Sequence, residues 1–291
     1  DWAAYHADEV LSIVNDEAHY AGQRYMIPLF TDGHVLLYDP DCVDIRTDTV
    51  DVRQMRTLAA NAQVPDGQHA IALKAHPSEI FLDWLPYLYA EGGCVLDDAM
   101  QPAFNTDAGR QALAHYLALR DYAPANTHDY DNAAIADALR QGTVTMAVTW
   151  GGQAAPIYLS DGSVAPDRYR VAALHTPWNA TWGAAIPANQ PAASQQTALT
   201  NLLRLNTPAL DAQVITAAGS PVRASSYSAE NIAQYPWLAA QKHLLETAQL
   251  LPKHPQIGAV LGALFDNVYR AFRGEKTPSQ ALADAENAIQ S

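Results

Sequence analysis

Basic residues are scarce in this sequence. Its 291 residues hold 17 Lys and Arg, four of them lysine, against 31 Asp and Glu, which leaves a formal charge of −14. That balance repels polyphosphate backbones and anionic membrane surfaces, so nucleic acid and lipid headgroups are excluded as partners. Cysteine is nearly absent: Cys42 and Cys94 allow one disulfide or a pair of buried thiols, and no zinc framework. The longest apolar runs, such as 35–38 and 154–159, fall far short of the ~20 residues that cross a bilayer, so the chain is not membrane-spanning. The opening residues bring Asp8 and Glu9 where a signal peptide carries Lys or Arg, which reads as a cytosolic, already processed or fragmentary chain.

The chemical signatures of common enzymes are missing too. There is no phosphate-cradling G-x-x-x-x-G-K-[ST] or G-x-G-x-x-G, no G-x-S-x-G elbow and no H-E-x-x-H. The ten histidines show no repeated i, i+4 spacing, which argues against a metal site. Asp39, Asp41 and Asp44 resemble a calcium loop superficially, but Val43 interrupts the ligands and no glycine makes the turn. No catalytic residue, cofactor or metal is therefore expected. Carboxylates are abundant, and a glycosidase pair stays open on composition although nothing selects one.

What is present suffices for a folded core: 49% of residues are hydrophobic and 16% charged, enough for about two domains. Two strand-like runs, 24–30 and 34–38, are expected to hinge at Thr31-Asp32-Gly33. The stretch from Ile80 to the stop at Gly92-Gly93 reads as a buried helix, and Asn105-Thr106 and Asn132 open two more. Between Gly142 and Gly151, Val144, Met146, Val148 and Trp150 alternate with Thr and Ala, the pattern of a strand buried on one face. A loop at 160–167 leads to a β-like run at 169–174. The remainder reads as helical, with openings at Ser194, Thr207-Pro208 and Thr277-Pro278 and an apolar stripe from Ile257 to Phe272.

Tyr38, Trp150, Trp178 and Trp182 lie near strand ends and turns. A sugar ring offers apolar C–H faces and a belt of hydroxyls, so its site needs flat aromatic surfaces edged by Asp, Asn, Gln or Arg. Trp150 runs into Gly151-Gly152-Gln153, and Trp182 stands beside Asn179 and Gly183. Core packing is the alternative for both, and is the expectation for Trp2, Trp84 and Trp237.

The order of several segments resembles the extracytoplasmic solute-binding proteins of the carbohydrate group that serve ABC transporters, with maltose-binding protein a distant relative. The matching pieces are 23–28 followed by 35–39, 89–93 ahead of Asn105-Thr106, 139–147, 182–187, 219–223 and 274–282. The resemblance implies an α/β, periplasmic binding protein type II-like fold of two lobes joined by hinge strands and closing on a ligand. Residues 1–32 and 177–222 would be what remains of the N-terminal lobe, and 33–176 with 223–291 the C-terminal lobe. The βαβ units that open such proteins have no counterpart here, so the N-terminal lobe is expected to be incomplete.

Carried over by position, the resemblance implies Asp32 at the first crossing between lobes, Trp150 as an aromatic platform, Trp182 at the second crossing and Arg223 after the third. The bland alternatives are a turn cap for Asp32 and a surface ion pair for Arg223. The implied function is non-catalytic binding of a small sugar or polyol, delivered to the transmembrane subunits of an ABC permease from the periplasm or cell surface. The region of Leu261-Gly262 lacks the aromatics of maltose-type relatives, which favours a small ligand over a long oligosaccharide. A truncated module used for sensing or protein–protein interaction is the second reading, and a glycoside hydrolase the third.

Overall fold

The computed structural model describes residues 5–159, 168–217 and 219–290. Its strands are β1 (His19–Tyr20), β2 (Gln23–Arg24), β3 (Ile27–Tyr38), β4 (Thr49–Val50), β5 (His69–Ala72), β6 (Val144–Trp150), β7 (Arg170–Leu174), β8 (Trp178–Ala184) and β9 (Gln249–Leu250). β1 and β2 form a separate hairpin. The main sheet runs β4-β7-β3-β6-β5, with β3 antiparallel to β6 and β7 and with β5 and β4 added in parallel at the two edges.

β3 organises the molecule. Its side chains alternate between two cores, as strand geometry requires. Leu36 joins Met146, Val148 and Ala172 under helices Ile80–Ala90, Ile257–Phe272 and Pro278–Gln290. Val35 and Leu37 join Ala147 and Ala173 under helices Asn132–Gln141 and Trp237–Thr247. Helices therefore cover both faces, and β6 is buried along its whole length rather than on one face as its alternation suggests. Of its two buried threonines, Thr145 is accommodated because its Oγ1 donates to the Ala70 carbonyl at 2.7 Å, whereas Thr149 Oγ1 has no hydrogen-bond partner among the described residues.

The expected hinge at Thr31-Asp32-Gly33 is not a break in the strand. β3 stays extended for 12 residues, and what changes there is its partner. Ile27 to Gly33 pair with β8, and His34 to Tyr38 with β6 and β7. Only glycine fits at the change of partner, since a Cβ on Gly33 would lie 2.2 Å from the Trp178 carbonyl oxygen. β8 continues the second sheet into β9.

Several helix openings follow the sequence. Thr106 Oγ1 accepts from the Gly109 amide and Asp131 Oδ1 from that of Ala134, each satisfying a first-turn donor. Other boundaries move: the helix expected from Ser194 begins at Ala192, and Thr207-Pro208 opens only the short helix Pro208–Asp211. Trp84 and Trp237 are core residues, as expected. The two cysteines form neither a bridge nor a buried pair; both are free, Cys94 exposed and Cys42 partly so, each in its own loop. Trp2 and the loop at 160–167 lie outside the described residues.

Candidate functional site

The crossing of β3 and β8 assembles an aromatic series. The register sets Phe30 opposite Trp182 and Asp32 opposite Ala180, and paired residues project to one face of a sheet. Phe30 and Trp182 stack with centroids 5.0 Å apart and planes 9° from parallel. Trp150, at the end of β6, meets Trp182 edge-on at 5.3 Å and Trp178 at 4.9 Å. The series grades from solvent to core: Trp182 is 41% exposed, Trp150 9% and Trp178 fully buried. Trp150 and Trp182, singled out by sequence, thus belong to one surface.

A polar set adjoins it. Trp150 Nε1 donates to Glu79 Oε2 at 3.2 Å, and Asn132 Nδ2 donates to Glu79 Oε1 at 3.3 Å. Behind the indole lies Lys74, fully buried, its ammonium 4.8 Å from the ring centroid, 3.6 Å from Glu79 Oε2 and 2.7 Å from His34 Nε2. Asp83 Oδ2 accepts from the Lys74 amide at 3.1 Å and from the Tyr116 hydroxyl at 2.8 Å. Burial pushes the Lys74 ammonium down to about 8, against the pull of Asp83, Glu79 and Asp32. Burial likewise raises Asp83 to about 6, opposed by Lys74 and by hydrogen bonds.

His34 is held well below its ordinary value by burial and by Lys74, so it is neutral. Because the ammonium can only donate, Nε2 must accept, which assigns the ring proton to Nδ1. Nδ1 stands 3.8 Å from Asp83 Oδ1, too far for a hydrogen bond.

Asp32, the acid expected at the first crossing, is buried and fastens three segments. Its Oδ1 accepts from the Gly33 amide at 2.9 Å and from Ser220 Oγ at 3.3 Å, and its Oδ2 accepts from the Gly152 amide at 2.9 Å. Burial pushes this carboxyl up to about 7 despite those donors. It lies two residues along the chain from both Phe30 and His34, on the face that carries the aromatic series.

Arg223 stands elsewhere. It has no exposed surface, lies 4.7 Å over the Tyr5 ring, and donates to the carbonyls of His6 and Asn206 and to Asn206 Oδ1. It is neither the ligand-facing group that the resemblance implies nor a surface ion pair.

Phe30, Lys74 and Glu79 were not singled out by sequence. One signal was available for Lys74: a lysine within the apolar run 70–75, in a chain with four lysines. Two cavities lie away from this surface. One of about 1220 Å³ is lined by Tyr38, Arg168, Arg170 and Trp237. Another of about 570 Å³ is lined by Glu17, Tyr20, Tyr25 and Lys253. The first also holds a stacked pair, Tyr158 on Trp237 with centroids 5.5 Å apart, beside Asp39, Asp41 and Asp48. What sets the β3–β8 crossing apart is a carboxylate hydrogen-bonded to a ring of its own series, Glu79 to Trp150.

The profile of the bacterial extracellular solute-binding protein family matches residues 5–240. The chain belongs to that family. Membership places it outside the cytoplasm, as the resemblance implied. No curated protein matches the sequence. Among solved structures, it resembles maltose-bound MalE3 of T. maritima with a TM-score of 0.87 at 18% identity, over 100% of this chain and 78% of that one. A solute-binding protein of Agrobacterium radiobacter in complex with ribitol gives 0.86 at 21% identity, covering 99% and 76%. One of Agrobacterium vitis with bound D-mannitol gives 0.83 at 16%, covering 99% and 77%. These likenesses establish the α/β, type II periplasmic binding protein fold. Among the described residues, no helix is long and apolar enough to cross a membrane.

Proposed function

We propose that this family member binds a small sugar or polyol on the surface formed by Trp182, Trp150 and Glu79, without chemical change, and delivers it to an ABC permease. One observation carries the reading: the open ring of Trp182, stacked on Phe30 and braced by Trp150, whose own N–H is tied to the Glu79 carboxylate. Stacked aromatics match the C–H face of a sugar or the carbon chain of a polyol, and a carboxylate at their edge accepts from its hydroxyls. Proteins of the same fold carry maltose, ribitol and D-mannitol. In this reading Asp32 ties the crossing together beneath the ligand, and Arg223 holds the third crossing from behind.

The change of partner along β3, between Gly33 and His34, supports a division into a lobe of 1–32 with 177–222 and one of 33–176 with 223–291. A second reading, docking of a protein partner, draws on helix Ala192–Leu205. That helix buries only Leu203, leaves Leu205 68% exposed and flanks a cavity of about 450 Å³.

Thermal unfolding with millimolar monosaccharides, disaccharides and polyols separates the two. A ligand that binds only the native state raises the midpoint. A rise with one compound, absent in Trp182→Ala, supports sugar or polyol binding. A cooperative transition that no compound moves favours the partner.

A further inference from the structure

Of the chain's four lysines, Lys74 has no exposed surface at all. It cannot touch a ligand, yet it abuts both polar elements of the surface just described. Glu79 Oε2 is shared between the Lys74 ammonium at 3.6 Å and the Trp150 N–H at 3.2 Å, while the same ammonium covers the Trp150 ring at 4.8 Å. We propose that Lys74 is a positioning residue of the binding surface, fixing the Trp150 indole and the Glu79 carboxylate in the orientation that meets the ligand. The inference rests on the binding role proposed above.

The alternative is a lysine retained only for packing, and the surroundings argue against it. Burying an ammonium is costly unless it is paired. Here the facing groups come from every neighbouring element. β3 supplies His34 and Asp32, the start of helix Ile80–Ala90 supplies Glu79 and Asp83, β6 supplies Trp150, and Tyr116 and Tyr87 stand behind Asp83. Two of these, Glu79 and Trp150, retain some exposure. Charge placed on Lys74 therefore reaches the surface through them.

The position gives a readout that packing alone would not. Burial brings the Lys74 ammonium down to about 8, so it is present below that pH and lost above it. Ligand affinity should fall as pH rises through this value. The contribution of Lys74 to stability runs the other way. Its folded value is depressed below the unfolded one, so this contribution is present above the unfolded value and is lost as pH falls through about 8. Weaker binding and a gain in stability from the same titration would mark Lys74 specifically.

The test is calorimetric titration of D-mannitol, ribitol and maltose into the 291-residue chain from about pH 6.5 to about 9.5, with the Trp150 indole N–H resonance followed in the free protein. The wild type should lose about tenfold or more in affinity across the alkaline step. Lys74→Met should bind that weakly throughout, with a displaced Trp150 resonance. Glu79→Gln removes a carboxylate that sustains the ammonium, and should move the step to lower pH.

Wild-type affinity, pH profile and Trp150 resonance in Lys74→Met would overturn the proposal. If that variant does not fold, an unmoved step in Glu79→Gln overturns it. If none of the compounds binds the wild type at any pH, the binding role fails; an unmoved Trp150 resonance in Lys74→Met then removes the positioning role as well, and a displaced one retains it.

Discussion

The Asp32 carboxylate accepts the Gly152 amide at 2.9 Å, which ties the strand crossing between the two sheets to the short 3-10 helix Gly151–Gln153 that leaves β6. The same carboxylate accepts from Ser220, whose backbone bridges Thr31, so one buried group joins three segments far apart in sequence. Its burial raises it from 3.8 to about 7. Folded Asp32 therefore binds its proton more tightly than unfolded Asp32, and its contribution to stability is fully present below pH ~4 and is lost as pH rises through about 7.

Asp32→Asn gives this a sign. At pH ~5 the variant should be less stable by about 1–3 kcal/mol, because its amide turns a donor toward the Gly152 N–H. Toward pH ~8 the gap should close or invert, since ionisation costs the wild type about 2–3 kcal/mol between those two pH values. Chemical denaturation of both proteins across that range measures it; a gap that widens with pH would contradict the assigned direction.

Gly152 also sets how closely the segments approach. A Cβ there would lie 2.0 Å from the Gly219 amide nitrogen and 2.8 Å from Asp32 Oδ2, and the first of these is backbone. Gly152→Ala should cost about 3 kcal/mol or more, or prevent folding. Its thermal midpoint shows which, and one within a degree or two of the wild type would mean the contact is loose.

Arg223 separates a structural role from a binding one. Removing its guanidinium takes the donor from the buried Asn206 carbonyl and Oδ1, one of two donors from the His6 carbonyl and the cation from over the Tyr5 ring, so Arg223→Ala should cost about 3 kcal/mol or more. Trp182 should behave oppositely. Its exposed ring makes Trp182→Ala nearly neutral for folding, within about 1.5 kcal/mol, while abolishing binding. Denaturation midpoints compared with ligand titrations of the two variants check both; a lower midpoint for Trp182→Ala than for Arg223→Ala would reverse the assignment.

Much of the fold could be read along the chain because local signals carry it. Thr106 and the stop at Gly92-Gly93 each act within a turn or two of their own position, and the strand at Trp150 alternates for its own geometric reason. The same locality explains the misreadings. Nothing near Thr31-Asp32-Gly33 says that the strand continues while its partner changes, since that depends on β8, about 150 residues away. β6 looks half-exposed by its threonines, and the helices that cover its second face come from distant segments. Trp150 and Trp182 stood out by residue type. Glu79 did not, because its role arises only when it meets an indole 71 positions later in the chain. Arg223 was misplaced because family order fixes where a residue falls along the chain, whereas the direction of its side chain depends on Tyr5 and Asn206.

The most direct measurement is equilibrium dialysis of the chain against an equimolar mixture of small sugars and polyols, with the retained compounds identified by mass spectrometry. The wild type should retain one small sugar or polyol at about one per chain, and Trp182→Ala, folded to the same midpoint, should retain none. Equal retention by both proteins, or by neither, would contradict a binding surface built on Trp182 and Trp150.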